Sequence, residues 1–297
     1  MNAELLLEQF HRIDAPHAVA RLRRFILDLA VWGKLVPQDP NDEPASVLLK
    51  RIEKEKARLV RAKVISADKP LPPIPPEKLT IDLPSGWHWT QLGELAQLIT
   101  SGSRDWAKYY SDQGAIFVRM GNLSKRSYRL RLDQVQHVKP PADGEGTRTK
   151  LEAGDILISI TGDVGMLGLI PEGFGEAYIN QHTAMVRPMP EIHCRYLAEV
   201  FRSPFAQYQF SEPQRGIKNS FRLTDVAYIV VPLPPLSEQY RIVARIDELM
   251  ALCDRLEECL SIRDTLRDRL LEALFQDTLS EFGADNCKAI KLGMEVP

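Results

Sequence analysis

Val231-Pro232-Leu233-Pro234-Pro235-Leu236-Ser237-Glu238-Gln239 is the stretch on which the reading of the fold turns. Proline has no N–H to donate and biases the residue before it away from helix, so a helix begins only after Pro235, with Ser237 as its N-cap. From Ser237 to Phe282 there is neither proline nor glycine. Apolar residues recur at Ile242, Ile246, Leu249, Cys253, Leu256 and Leu260 in gaps that alternate four and three, the spacing of a coiled-coil seam. Beyond Leu260 the register slips, because Arg263 and Arg267 would land on the seam, and the apolar face resumes through Ile262, Leu266, Leu270 and Leu274. A helix over residues 237–282 would be roughly 65–70 Å long at 1.5 Å per residue. That exceeds the diameter of a small domain, so the pattern predicts a dimerisation or spacer helix over residues 234–283 that needs a partner. The alternative is a helix lying across its own domain.

The 297 residues leave room for more than one domain, and the net charge of -2 does not mark the chain as a nucleic-acid binder. That total is uneven. Residues 234–297 carry 8 basic and 13 acidic side chains, whereas residues 85–233 are near balance at 16 and 15, with local clusters. No apolar signal region opens the sequence and no apolar run approaches membrane-spanning length, so a cytoplasmic location is expected. Cys194, Cys253, Cys259 and Cys287 lack metal-ligand or disulfide-framework spacing and read as reduced, structural residues.

Residues 1–35 read as one or two helices with a stripe of Leu22, Phe25, Ile26, Leu29, Ala30 and Trp32, ended by Gly33. A turn-rich connector, residues 37–44, precedes a second helix from Ala45 whose mixed charges read as a solvated face. Lys69-Pro70-Leu71-Pro72-Pro73-Ile74-Pro75-Pro76 then favours an extended, semi-rigid linker. This places residues 1–84 as a helical segment and linker. Leu22 to Leu29 also echoes Leu266 to Ala273 in its apolar and charged pattern, either because amphipathic helices look alike or because both chain ends supply similar parts to one bundle.

Residues 85–233 change character. Strand-like runs at residues 87–92, 115–120, 154–160, 165–170, 184–188 and 228–232 are punctuated by glycine, with a helix over residues 192–209. The fold class is therefore α+β: one β-rich domain with a curved antiparallel sheet, an N-terminal helical segment and a long C-terminal coiled-coil helix. Residues 284–297 read as a flexible tail.

Two clusters suit DNA. In the first, Arg119, Lys125, Arg126, Arg129 and Arg131 alternate with Asn122, Ser124 and Tyr128, and the first acid is Asp133. Cations dock on phosphates, while Asn, Ser and Arg can read base edges. The second is Arg215, Lys218, Asn219, Ser220 and Arg222 around Gly216, where glycine lets backbone approach a phosphate. Thr100-Ser101-Gly102-Ser103-Arg104 is a third, weaker polar loop. An ordinary solvated surface is the alternative for each. No enzyme motif competes: Gly162-Asp163-Val164-Gly165 and Gly144-Glu145-Gly146 lack phosphate-cradling spacing, and Asp112, Asp155 and Asp163 lack nuclease metal spacing. His182, beside Asn180 and Gln181, reads as a structural or groove-facing residue before a catalytic base. A coiled-coil scaffold or protein-binding adaptor remains the other class.

Several of these pieces together resemble the specificity (S) subunits of type I restriction-modification enzymes. They are Trp87-His88-Trp89 after Leu83-Pro84-Ser85-Gly86, Leu92-Gly93-Glu94, Gly154-Asp155-Ile156-Leu157-Ile158-Ser159, Asn180-Gln181-His182 and Leu233-Pro234-Pro235-Leu236-Ser237-Glu238-Gln239. The front segment from Leu29-Ala30-Val31-Trp32-Gly33-Lys34-Leu35 to Asp42-Glu43-Pro44-Ala45-Ser46 also fits. Family members usually carry two target recognition domains joined by two long antiparallel helices. This chain has one of each and looks like a half-length subunit, natural or a truncated remnant. The resemblance implies a non-catalytic, DNA-binding subunit that pairs head to tail as a homodimer. Its implied partners are double-stranded DNA and methyltransferase and restriction subunits, which would carry S-adenosylmethionine, ATP and Mg. No cofactor is expected in this chain.

Overall fold

The computed structural model describes residues 17–67, 70–79, 81–140, 146–211 and 220–291. It divides into a large compact unit, Arg24–Asp247, and a second unit drawn from the two ends of the chain. The linker before residue 84 does not separate compact units, because residues 24–84 belong with the β-rich part.

In the large unit, helix α1 (Ala18–Val31) ends where Gly33 takes a φ of 63° and the Lys34 N–H donates to the Leu29 carbonyl. Glycine is required there, because a Cβ would sit 2.3 Å from Pro84 Cγ. Helix α2 (Ala45–Arg61) buries Leu48, Ile52 and Leu59 and is tied to the domain by Lys56 Nζ, which donates to the Gly93 carbonyl at 2.8 Å.

Strand β1 (His88–Gln91) leads into a short helix α3 (Leu92–Leu95) and β2 (Ala96–Ser101). Then come β3 (Tyr110–Ser111), β4 (Ala115–Val118), β5 (Gln136–Val138), β6 (Ile156–Ser159), β7 (Leu167–Leu169), β8 (Ala177–Ile179) and β9 (Thr183–Pro188). Helices α4 (Cys194–Arg202), α5 (Pro204–Ser211) and α6 (Leu223–Ala227) precede β10 (Val230–Leu233) and the long α7 (Leu236–Lys291).

The single antiparallel sheet expected from the sequence is instead three sheets. Strands β1 and β10 pair antiparallel, His88 opposite Leu233, so the β-rich segment starts and ends side by side. A four-stranded antiparallel sheet runs β2-β9-β6-β7 and a second runs β3-β5-β4-β8, where β4 and β8 are parallel. Strand β6 is central and buried throughout, as its unbroken apolar run requires. The core between the sheets gathers Val118, Leu123, Leu157, Ile179 and Met185. A second, aromatic cluster packs Trp106 against Phe117 at 5.0 Å and Tyr178 at 5.1 Å between ring centroids. Each such side chain contributes about 1.5–3 kcal/mol on removal from water.

Two further expectations change. The helix over residues 192–209 is broken at Ser203, whose ψ of 152° is extended, because Pro204 disfavours helix in the residue before it. Helix α7 starts at Leu236 and runs to Lys291, past the expected end at Phe282. Ser237 is thus inside the helix and not its N-cap; its hydroxyl donates to Asp42 Oδ1.

The proline hinge is bolted down from three sides. Glu238, 1% exposed, accepts from Trp87 Nε1 at 2.9 Å and from Gln38 Nε2 at 2.7 Å. Arg241 Nη2 meets Asp42 Oδ2 at 2.6 Å, which holds the Asp42 carboxyl below its usual range. Buried Gln239 accepts the His193 N–H and donates to the Pro234 carbonyl, and the His193 ring stacks on Tyr240 at 4.3 Å. Sequence pieces some 200 positions apart are therefore one joint.

In the second unit, Arg23 on α1 pairs with Asp254 and Glu257 on α7, and Cys253 is 1% exposed. The expected seam divides along its length. Ile242 and Ile246 in the large unit are buried, Leu249, Leu256 and Leu260 are half-buried, and Leu266 and Leu270 are 58% and 61% exposed. No helix among the described residues is long and apolar enough to cross a membrane.

Candidate nucleic-acid interface

Strand directions determine which loops meet. In the antiparallel sheet, β2 ends at Ser101 opposite Ala184, β9 begins at Thr183 opposite Ser159, and β7 begins beside Ile158. The loop after β2, the Asn180-Gln181-His182 turn and the residue 160–166 turn therefore share one rim. Strands β4 and β8 are parallel with Val118 beside Ile179, so Arg119 and Asn180 emerge at the same end.

The first basic cluster is stitched onto this rim. Ser124 bridges to Leu167, extending the sheet past β7, and the Leu169 N–H donates to the Tyr128 carbonyl at 2.8 Å. Lys125 is exposed and ion-paired with Asp163 of the 160–166 turn. Arg126 and Arg129 are exposed, their N–H groups held by the Ser124 and Ser127 hydroxyls. Arg131 folds back to the Leu123 carbonyl. Arg119 is half-buried, and Gly162 lies against Met120 beside it.

Two residues expected to face DNA turn inward. Asn122 is 5% exposed, and its amide donates to the Arg131 and Gln134 carbonyls at 2.8 and 3.1 Å while its oxygen accepts the Arg119 N–H. It closes the basic loop on itself. The Tyr128 hydroxyl accepts from Arg195 at 2.9 and 3.2 Å, and the Arg195 and Arg202 guanidiniums lie 6.0 and 5.5 Å from its ring centroid. Burial, then the nearby Glu199 carboxylate, pushes the Tyr128 hydroxyl pKa up. Burial also pushes Glu199 up, opposed by Arg202 and the Tyr128 hydroxyl.

Of the second cluster, Arg215, Lys218 and Asn219 lie outside the described residues, as do Gly144 and Glu145. Ser220, where the chain returns, bridges to Thr161, and the Phe221 N–H donates to the Ile160 carbonyl. That return lands on the rim. Arg222 is exposed and begins α6, its N–H bonded to Asp225. In the third loop, Thr100 and Ser101 are strand residues and only Arg104 is exposed. Gly102 passes so close to the end of β8 that a Cβ would lie 2.0 Å from the Ile179 carbonyl oxygen.

The rim also holds a polar chain that the sequence only hinted at. Thr161 Oγ1 lies 2.7 Å from His182 Nδ1, and His182 Nε2 lies 2.9 Å from Gln181 Nε2. The Asn180-Gln181-His182 motif was the available signal; Thr161 had none. The three acids weighed for metal binding do not converge. Asp155 is clamped by the Arg187 fork at 2.8 Å, although burial still raises its pKa, and Asp163 faces Lys125. Among the described residues no group of three His, Cys, Asp or Glu is placed to hold a metal ion.

A β-rich module whose ends pair beside a long helix, with a cation-bearing rim, defines a recognition module carried on a helix. The chain belongs to the family described as the type I restriction modification DNA specificity domain, which its residues 84–263 match. It is 36% identical over 258 residues to the type I restriction enzyme EcoAI specificity subunit of Escherichia coli, covering 82% of this chain and 41% of that protein. Against the EcoEI specificity subunit of Escherichia coli it is 28% identical over 307 residues, covering 94% and 50%. The chain thus spans about half the length of these relatives. A solved chain from work on complex assembly and conformational transition of the type I R-M system superposes with a TM-score of 0.51 at 21% identity, covering 90% of this chain and 54% of that one, and shows the shared fold.

Proposed function

We propose that this chain is a non-catalytic specificity subunit that reads one half of a bipartite DNA site through the rim formed by Arg104, Arg119, Ser124, Lys125, Arg126 and Arg222. Arg215, Lys218 and Asn219, outside the described residues, are proposed as further DNA contacts on sequence alone. The observation that carries this reading is convergence: the loop after β2, the loop after β4 and the chain returning at Ser220 meet at one end of the sheets. Rim cations would neutralise phosphates and fix register, while Arg104 and the Gln181 amide would face base edges.

Because the chain has one recognition module and one long helix, two copies would pair through their helices in an isologous dimer and read an interrupted palindrome. The exposed apolar residues Ile262, Leu266 and Leu270 support that pairing. Methyltransferase and restriction subunits would join in the cytoplasm and supply S-adenosylmethionine, ATP and Mg; adenine would be flipped out for methylation. Residues 85–233 are the recognition domain in this reading, residues 1–84 its helical support and residues 234–283 the spacer.

The test is purification with a cognate methyltransferase subunit followed by mapping of methylated positions. Methylation confined to one bipartite palindromic motif is expected. Methylation by the lone chain would make it an enzyme, and partner binding without any sequence-specific methylation would make it a scaffold.

A further inference from the structure

We infer that Tyr128, Arg195 and Asp247 form a strut that positions the basic loop from the root of α7, so that Tyr128 serves the interface without touching DNA. The inference rests on the DNA-reading function proposed above. Tyr128 is the point at which the loop is held twice. Its carbonyl accepts the Leu169 N–H of β7, and its hydroxyl accepts Arg195 Nε at 3.2 Å and Nη2 at 2.9 Å. The same guanidinium forks both oxygens of Asp247, Nη1 to Oδ2 at 3.0 Å and Nη2 to Oδ1 at 2.6 Å. Arg202, anchored on buried Glu199 at 2.7 Å, also lies over the ring, 5.5 Å from its centroid. Asp247 lies about 13.5 Å along α7 from the Glu238 joint at 1.5 Å per residue, so the two contacts together fix the helix root.

Magnitudes favour positioning over stability. The Asp247 side chain is 54% exposed and that of Arg195 34%, and an ion pair this wet adds little to folding. A forked guanidinium–carboxylate pair is nonetheless directional. Apart from one short helical turn at Met120–Asn122 the loop has no regular structure of its own, so its tethers determine how ordered it is before DNA arrives. A loop already in place binds more tightly than one that must be ordered on contact.

The test is a double-mutant cycle in the full chain with Tyr128→Phe, Asp247→Ala and their combination. Two quantities are read: amide exchange of residues 123–131, and affinity for a duplex carrying the motif recovered by methylation mapping. Alanine is a better helix former than aspartate at an exposed position, so Asp247→Ala leaves α7 formed. Each single change is expected to speed loop exchange and weaken binding about tenfold, and the double variant to be no weaker than either single one. Loop exchange unchanged by Asp247→Ala overturns the strut. So does a loss on Tyr128→Phe that Asp247→Ala does not share, which would assign the Tyr128 hydroxyl to DNA or to Glu199 instead of to the Arg195–Asp247 pair. Failure of the wild-type chain to bind any duplex sinks the DNA reading instead, while the exchange comparison still decides the strut.

Discussion

Replacing Glu238 with alanine is expected to destabilise the large unit by about 2–3 kcal/mol, whereas Glu238→Gln is expected to lose less than about 1 kcal/mol. The carboxylate accepts two hydrogen bonds, from Trp87 Nε1 and Gln38 Nε2. Bonds to a charged acceptor contribute roughly 1.5–3 kcal/mol each, but the two partners respond differently to its loss. Gln38 is exposed and can turn to water, while Trp87 is 7% exposed and its indole N–H would be stranded. Against that loss stands relief from burying a charge, since desolvation already raises the Glu238 pKa, with Trp87 and Gln38 opposing. Glutamine keeps an acceptor for Trp87 and carries no charge. The sign of the pH effect follows. A carboxyl whose folded pKa is raised stabilises the fold as pH drops from its folded value toward its unfolded value near 4.5, and Glu238→Gln lacks that gain. Urea denaturation followed by tryptophan fluorescence measures all three proteins. Equal losses in the two variants, or no loss in Glu238→Ala, would mean that the Trp87 indole does not depend on Glu238 for its partner.

Asp28, pushed up to about 6 by burial with Arg24 opposing, gives a second pH signature. The folded carboxyl binds the proton that the unfolded one releases between about pH 4 and 6, so stability rises as pH falls through that window; Asp28→Asn removes the rise and, discounted for half exposure, adds about 1 kcal/mol at pH 7 in urea titrations. Gly102→Ala places a methyl against the Ile179 and Asn180 backbone and is expected to lose about 1–3 kcal/mol and weaken DNA binding, read by urea denaturation and gel shift. Leu266→Glu with Leu270→Glu is expected to leave the fold intact by circular dichroism and abolish self-association by light scattering; an unchanged oligomer removes the distal helix from the pairing surface.

What was legible in the sequence was whatever depends on neighbours along the chain. The double proline before Leu236 and the four-three spacing after it gave the helix, and the run through Ile156-Leu157-Ile158 gave the central strand. Strands β3, β5 and β8 have two or three residues each, too short to show alternation, and the parallel pairing of β4 with β8 is set by packing between distant segments. Pro204 marked the break between α4 and α5, but the apolar periodicity across it masked the signal. At the site, the cations were placed by composition alone, because a charged side chain must stay wet or paired. The inward bonds of Asn122 and Tyr128 were hidden for the opposite reason. A polar residue inside a basic loop looks like surface until tertiary structure supplies two carbonyls for its amide or a guanidinium for its hydroxyl.

The most direct test of the rim is binding of duplex DNA across a salt series, comparing the wild-type chain with Lys125→Ala/Arg126→Ala. Weaker binding is expected for the variant, with a log affinity–log salt slope shallower by about 1–2, one counterion for each lost phosphate contact. Affinity and slope unchanged across the series would place duplex DNA away from this rim.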